Sequence, residues 1–349
     1  MTRDDGSAAT DGGSTRALPG REAAVKIVAG FAVAVVLVYL LGAVIGWEDT
    51  LARLRDADLR WFVAACLSTA VGLAAWAKAW QVVLAEAGTG VRYRKLLTTY
   101  FAATFANYVT PLGQAGGEPF IAFVLSRDTD ANYEESLASV VTADLLNLLP
   151  FFNFAVVGVG FLLFRTSLGD GVQNLAIGLG LLGVGIPAIV VVGWHYRNAI
   201  ERVVVGAVAP VARLTHRVSV ESVRARIERF YGSVDEIAAD RSRLLYALLF
   251  SYTGWVFFTL PLYFAGLSLD LPLSLLLVLF VVPASTVAGM VPTPGGLAAV
   301  EGALTWLVAA LTAVTATQAF AIATVYRLTS YWFALAIGGA AALWVIYRA

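Results

Sequence analysis

The 349-residue chain is 59% hydrophobic and 14% charged, with a mean hydropathy of +0.77. Soluble domains carry roughly 25% charged residues, so this usage excludes a soluble catalytic domain and describes a polytopic membrane protein. Its 24 basic residues balance 24 acidic ones and form no basic stripe, which excludes nucleic acid as a partner.

Cys66 is the only cysteine, and His195 and His216 are far apart in sequence. The chain therefore has no disulfide framework or Cys-based metal site, and no cofactor or metal is expected.

In chain order, residues 1–24 form a polar stretch rich in Asp, Gly, Ser and Thr that reads as a disordered cytoplasmic tail. Residues 25–349 read as one transmembrane domain, because its apolar runs recur to the C-terminus. Spanning helices are predicted at Ile27 to Gly46, Trp61 to Leu84, Ser136 to Phe164, Val172 to Trp194, Leu244 to Gly266 and Ala316 to Tyr347. The first run is long enough to span and is read as a permanent anchor. Lys78 is expected to reach the headgroups between Trp76 and Trp80, which read as interfacial anchors.

Two more apolar stretches, Leu96 to Leu125 and Leu271 to Leu311, are broken near the middle by Pro and Gly. Each break has the same form: Pro111, Gly113 and Glu118 in the first, and Pro294, Gly296 and Glu301 in the second. Broken backbone and an ionised group are both costly at membrane depth, and together they mark a place built for polar cargo. We read both stretches as re-entrant hairpins, with kinked spanning helices as the alternative. The fold class is thus an all-α polytopic bundle of about six spans plus two hairpins, or about eight to ten spans if the hairpins cross.

Residues 196–243 contain the densest run of Arg and are placed in the cytoplasm, which puts both termini on that side. The first hairpin then opens inward and the second outward, as in an inverted repeat. Within 196–243, Val220, Val223, Ile227, Phe230, Val234 and Ile237 form one apolar helical stripe. It suits a helix on the membrane surface or packed across the domain, or a docking site for a partner enzyme.

Arg327 lies deep in the last apolar run, where an unpaired guanidinium costs ~2.5 to 3.5 kcal/mol. Glu301, Glu118 and Asp144 are its candidate partners within the chain, and a lipid phosphate is a candidate outside it. A buried ion pair that only fixes helix packing would use the same groups. Asn107, Thr110 and Gln114 add hydrogen-bonding groups beside the first break, while Gly113, Gly116, Gly117, Gly295 and Gly296 let backbone line a cavity. The GxGxxG string at 178–183 lies inside a span without a βαβ context, so close helix packing explains it better than a dinucleotide. No Ser-His-Asp set, HExxH or Walker loop is present.

Gly289 to Leu297 followed by Glu301 resembles the Pro-x-Pro-Gly-Gly signature of the lysylphosphatidylglycerol synthase transmembrane region, or flippase-like, family. Tyr326-Arg327-Leu328, Ser330-Tyr331-Trp332 and Gly338-Gly339 resemble its closing segment, and Asn107 to Glu118 stands in the place of its earlier Pro and Gly motif. Two departures are Ala298, where the family usually has a third Gly, and Gln114 with Glu118, where many relatives are basic. In that family the domain stands alone or fused to an aminoacyl-lipid synthase or a polyprenol glycosyltransferase.

The resemblance implies a non-enzymatic translocator of a phospholipid or polyprenyl-phosphate sugar in the cell membrane. Its site would comprise Arg327, Glu301, Glu118, Asp144, Asn107, Gln114, Pro111, Gly113, Gly117, Pro294, Gly295 and Gly296. The other readings are a non-transporting partner of a lipid synthase or glycosyltransferase, and a small-solute transporter.

Overall fold

The computed structural model describes residues 21–86, 90–110, 133–165, 170–203 and 239–348, with isolated positions between 121 and 126 and between 206 and 235. Most of the expected tail and most of the apolar stripe of 196–243 lie outside the described residues. Every regular element among the described residues is helical.

Helix α1 (Arg21–Ile45) ends at Gly46, whose φ of 120° no L side chain adopts readily, and the chain turns by 96° into α2 (Trp47–Arg55). Trp47 holds the corner. Its indole N–H donates to the Tyr39 carbonyl at 2.8 Å, and the ring occupies the space that a side chain at Gly42 would fill.

Helix α3 (Leu59–Glu86) runs antiparallel to α7 (Arg241–Ser268). The Asp58 N–H donates to the Ser268 carbonyl at 2.8 Å at one end, and the Ser68 hydroxyl donates to the Phe257 carbonyl at 2.6 Å further along. Near the middle of the pair Gly254 makes room for Trp76, whose indole nitrogen occupies the place where a Cβ would stand. That seat corrects the expected role of Trp76 and Trp80. Both are buried inside the bundle, Trp76 against Trp255 and Phe258, and Trp80 edge-on to Tyr100. Lys78 is half-buried; its Nζ donates to Gln81 at 2.6 Å and lies over the Tyr93 ring.

Helices α5 (Tyr133–Arg165) and α6 (Asp170–His195) pack together, and α5 also lies along α8 (Leu275–Ala288), where Gly158 admits Phe280. On α6, a Cβ at Gly178 would meet nothing within 4 Å, so close packing does not account for that glycine.

The second broken stretch is interrupted at Pro294, as expected, and the break of the first, at residues 111–120, lies outside the described residues. In the second, α8 holds 14 residues, about 20 Å at 1.5 Å per residue and short of a ~30 Å hydrocarbon core, whereas α9 (Ala299–Leu311) together with the turn before it, Pro294–Leu311, is long and apolar enough to cross. They pack against each other across the tight turn Pro294–Gly296. In the first, α4 (Tyr93–Val109) is followed beyond residues 111–120 by Ile121 and Leu125, buried in one apolar cluster with Leu96 and Ala103 of α4.

Helices α10 (Ala316–Arg327) and α11 (Phe333–Arg348) are joined by a wide π turn, Leu328–Trp332, into one span. The Thr329 and Ser330 hydroxyls donate back to the carbonyls of Val325 and Tyr326 at 3.0 and 2.7 Å. Those bonds satisfy backbone groups that the wide turn leaves short of partners. Among the described residues five helices are long and apolar enough to cross a membrane, Pro294–Leu311 being one of them, or six if the bent pair Val35–Ile45 and Trp47–Arg55 counts as one span.

Candidate functional site

The turn at Pro294 sets the site. Gly295 and Gly296 take φ of 56° and 64°, as the sharp reversal needs, and Ala298 is forced to φ 71° just before α9 begins. The reversal places Glu301 in the first turn of α9, where the helix dipole favours a carboxylate. Arg327, at the end of α10, faces that turn from the side.

The two charges meet in the interior. Arg327 Nε donates to Glu301 Oε1 at 2.8 Å, with the residues 8% and 4% exposed. Arg327 Nη2 donates to the Gly295 carbonyl at 2.9 Å, and the guanidinium lies 4.3 Å from the centre of the Tyr331 ring. One cation thus touches a carboxylate, a turn carbonyl and an aromatic face. Glu301 Oε2 is buried and accepts no hydrogen bond among the described residues.

Tyr331 connects this cluster to the end of α4. It projects from the π turn, 1% exposed, and its ring fills the place where a side chain at Gly295 would stand. Its hydroxyl donates to the Tyr108 carbonyl at 3.2 Å, in the last turn of α4. The helix end that leads into Pro111 and the turn at Pro294 are therefore both in contact with Arg327 or its stacking partner.

Of the residues singled out from sequence, Arg327, Glu301, Pro294, Gly295 and Gly296 come together here. Asn107 and Asp144 line a separate cavity of about 260 Å³ between α3, α4, α5 and α7. Asp144 Oδ1 accepts from the Trp80 indole at 3.3 Å, so the partner that Arg327 takes in this structure is Glu301. Pro111, Gly113, Gln114, Gly117 and Glu118 lie outside the described residues. Tyr108 and Tyr331 escaped sequence reasoning. A tyrosine four residues after a buried Arg is a weak helical signal, and nothing in the sequence shows Tyr108 opposite it.

The model of the lysylphosphatidylglycerol synthase TM region matches residues 27–338, nearly the whole chain and both broken stretches. The chain belongs to that family. Among its relatives, a UPF0104 membrane protein of Pyrococcus horikoshii is 26% identical over 320 residues, 88% of this chain and 93% of its own length. A UPF0104 membrane protein of Methanothermobacter thermautotrophicus is 25% identical over 302 residues, 85% and 89% of the two chains. A third, from Methanocaldococcus jannaschii, is 38% identical over 99 residues, 28% of this chain and 42% of its own.

Proposed function

We propose that this membrane protein moves a lipid with a charged or polar headgroup between leaflets, and that the Arg327–Glu301 pair handles the headgroup's phosphate. The observation that carries the reading is the buried guanidinium held by Glu301, the Gly295 carbonyl and the Tyr331 ring at the turn that breaks the second apolar stretch. Carboxylate and phosphate bind a guanidinium through the same charge-assisted geometry, so an arriving phosphate can take the place of Glu301 without leaving Arg327 unpaired. An exchange of partners avoids the cost of a bare cation in hydrocarbon, which a simple rupture would incur. The unpartnered Glu301 Oε2 gives a proton or a headgroup donor a place to bind once the guanidinium turns away. Acyl chains stay in lipid throughout. In this reading both termini face the cytoplasm, and a lipid synthase or glycosyltransferase is the natural source of cargo.

The test is lipid movement in vesicles carrying the purified protein, followed by leaflet-specific chemical labelling of headgroups. Arg327→Ala and Glu301→Gln, incorporated in equal amounts and still folded, are expected to slow movement by about tenfold or more, the factor that 1.4 kcal/mol represents. Unchanged rates would assign the pair to helix packing alone. Loss of function only after polar substitution of Ile227 would favour a scaffold that docks a partner enzyme.

A further inference from the structure

Helix α1 rests on the bundle at one narrow place. From residue 32 to residue 40, Val38 is the one described side chain that is not exposed, while Val35, Val36, Leu37 and Tyr39 around it border lipid. Val38 packs on Leu297 and Tyr331, both 1% exposed. Tyr331 is the ring against the Arg327 guanidinium, and Leu297 follows the turn at Pro294. On this side a single helix therefore separates the Arg327 cluster from acyl chains.

Lipid tails are as apolar as Val38, so in a bilayer the helix gains little from burying it, and close packing with hydrogen bonds must hold α1 in place. Those contacts gather at its last turns. The Thr317 hydroxyl of α10 donates to the Ile45 carbonyl at 3.2 Å, and Trp47 meets Phe320 of α10 edge-on. Both fasten the corner to α10. The Trp47 indole, by contrast, reaches back along α1 to the Tyr39 carbonyl from its seat at Gly42, and so fixes the angle of the helix.

The joint itself is free to turn. Gly46 has φ 120° and no atom within 4 Å of where a Cβ would stand. A glycine at a helix end in open space absorbs backbone rotation, as hinge positions do. Val38 stands about 12 Å from Gly46 along the helix, at 1.5 Å per residue, so a swing of about 30° carries it about 6 Å from Tyr331.

We infer that α1 is a lateral door, hinged at Gly46 and latched by Trp47, through which lipid reaches the Arg327 cluster from the bilayer. The inference deepens the translocation reading by naming the route of entry. It rests on that reading for its use, although not for its motion.

The experiment measures the distance between spin labels on α1 and α7 in the full-length protein in phosphatidylcholine nanodiscs. Cys66 is replaced by Ala, and labels are placed at Val33→Cys and Leu249→Cys, both exposed positions. Val33 lies far from the hinge, where the swing is largest. Trp47→Ala is expected to add a second, displaced distance to the one found for the native latch. Gly42→Ala, whose methyl would overlap the Trp47 ring, is expected to add the same distance by an independent route, and serves if Trp47→Ala does not fold. Trp47→Phe keeps a ring in the seat and loses the N–H donor, so a smaller displaced fraction is expected. Distances identical to the native ones in both Trp47→Ala and Gly42→Ala overturn the door. In vesicles with phosphatidylethanolamine as the labelled lipid, the two unlatched proteins are expected to move it about threefold to tenfold faster than the native chain. Displaced distances with a native rate of movement would overturn the role of α1 in entry. Displaced distances with no movement by any of the proteins, the native chain included, would count against translocation and leave the hinge standing.

Discussion

The hydroxyl of Tyr331 donates to the backbone carbonyl of Tyr108 at 3.2 Å, with the two ring centroids 5.0 Å apart. This contact joins the last turn before one helix break to the residue that packs on the other. Tyr331→Phe removes only the hydrogen bond and is expected to cost about 0.5–1.5 kcal/mol. Tyr331→Ala also empties the space above Gly295 and strips the face from the guanidinium, so about 3–5 kcal/mol is expected. Thermal unfolding in detergent micelles measures both.

The Arg327–Glu301 pair gives an asymmetric expectation for stability. Removing one member strands the other as a buried charge, and Arg327→Ala is expected to destabilise the fold by about 3–5 kcal/mol. Replacing both with apolar residues of similar volume, Arg327→Met with Glu301→Leu, is expected to restore stability close to that of the native chain. A double-mutant cycle of unfolding free energies reads this coupling.

Ala298 is a strained position that a single substitution relieves. At φ 71° and ψ −43° its Cβ meets a conformation that glycine adopts freely. Ala298→Gly is expected to raise stability by about 1 kcal/mol, the strain relieved less the added freedom of the unfolded chain. A lower melting temperature for this variant would contradict the account of the turn.

Asp58 supplies an acid-sensitive contact outside the spans. Its carboxylate accepts from the Arg60 side chain and backbone N–H, which hold its pKa below the ordinary carboxylate value. A lowered folded-state pKa means that the contribution is complete above the unfolded value, about 3.9, and is lost as pH falls through the folded one. The melting temperature is therefore expected to show no Asp58 dependence between about pH 5 and 8. Asp58→Asn is expected to remove part of the decline below about pH 4.

The spans were legible because long apolar runs leave little choice in a membrane, and the break at Pro294 because Pro and Gly interrupt the run there. Helix α2 was not read, since Trp47 to Arg55 is short and polar. Its signal was present in Glu48 and Asp49 at the start, with Arg53 and Arg55 at the end, charges that match a helix dipole. Arg327 with Glu301 was readable as a deep base and a deep acid that each need compensation. Trp76 and Trp80 were misread because tryptophans flanking a lysine resemble an interfacial anchor. The burial of Trp76 depends on Gly254, which only the pairing of α3 with α7 brings opposite, and that of Trp80 on Tyr100 of α4. Asp144 was grouped with Arg327 by charge, yet it lies on the wall shared with Trp80, an arrangement that no local pattern specifies.

The most direct test of the central claim is headgroup movement by the double variant Arg327→Met/Glu301→Leu, which separates transport from folding. Reconstituted beside the native protein and assayed by leaflet-specific labelling, it is expected to melt near the native temperature while lipid movement falls to the rate of protein-free vesicles. Movement at the native rate in that folded variant would contradict a role for the pair in handling the headgroup.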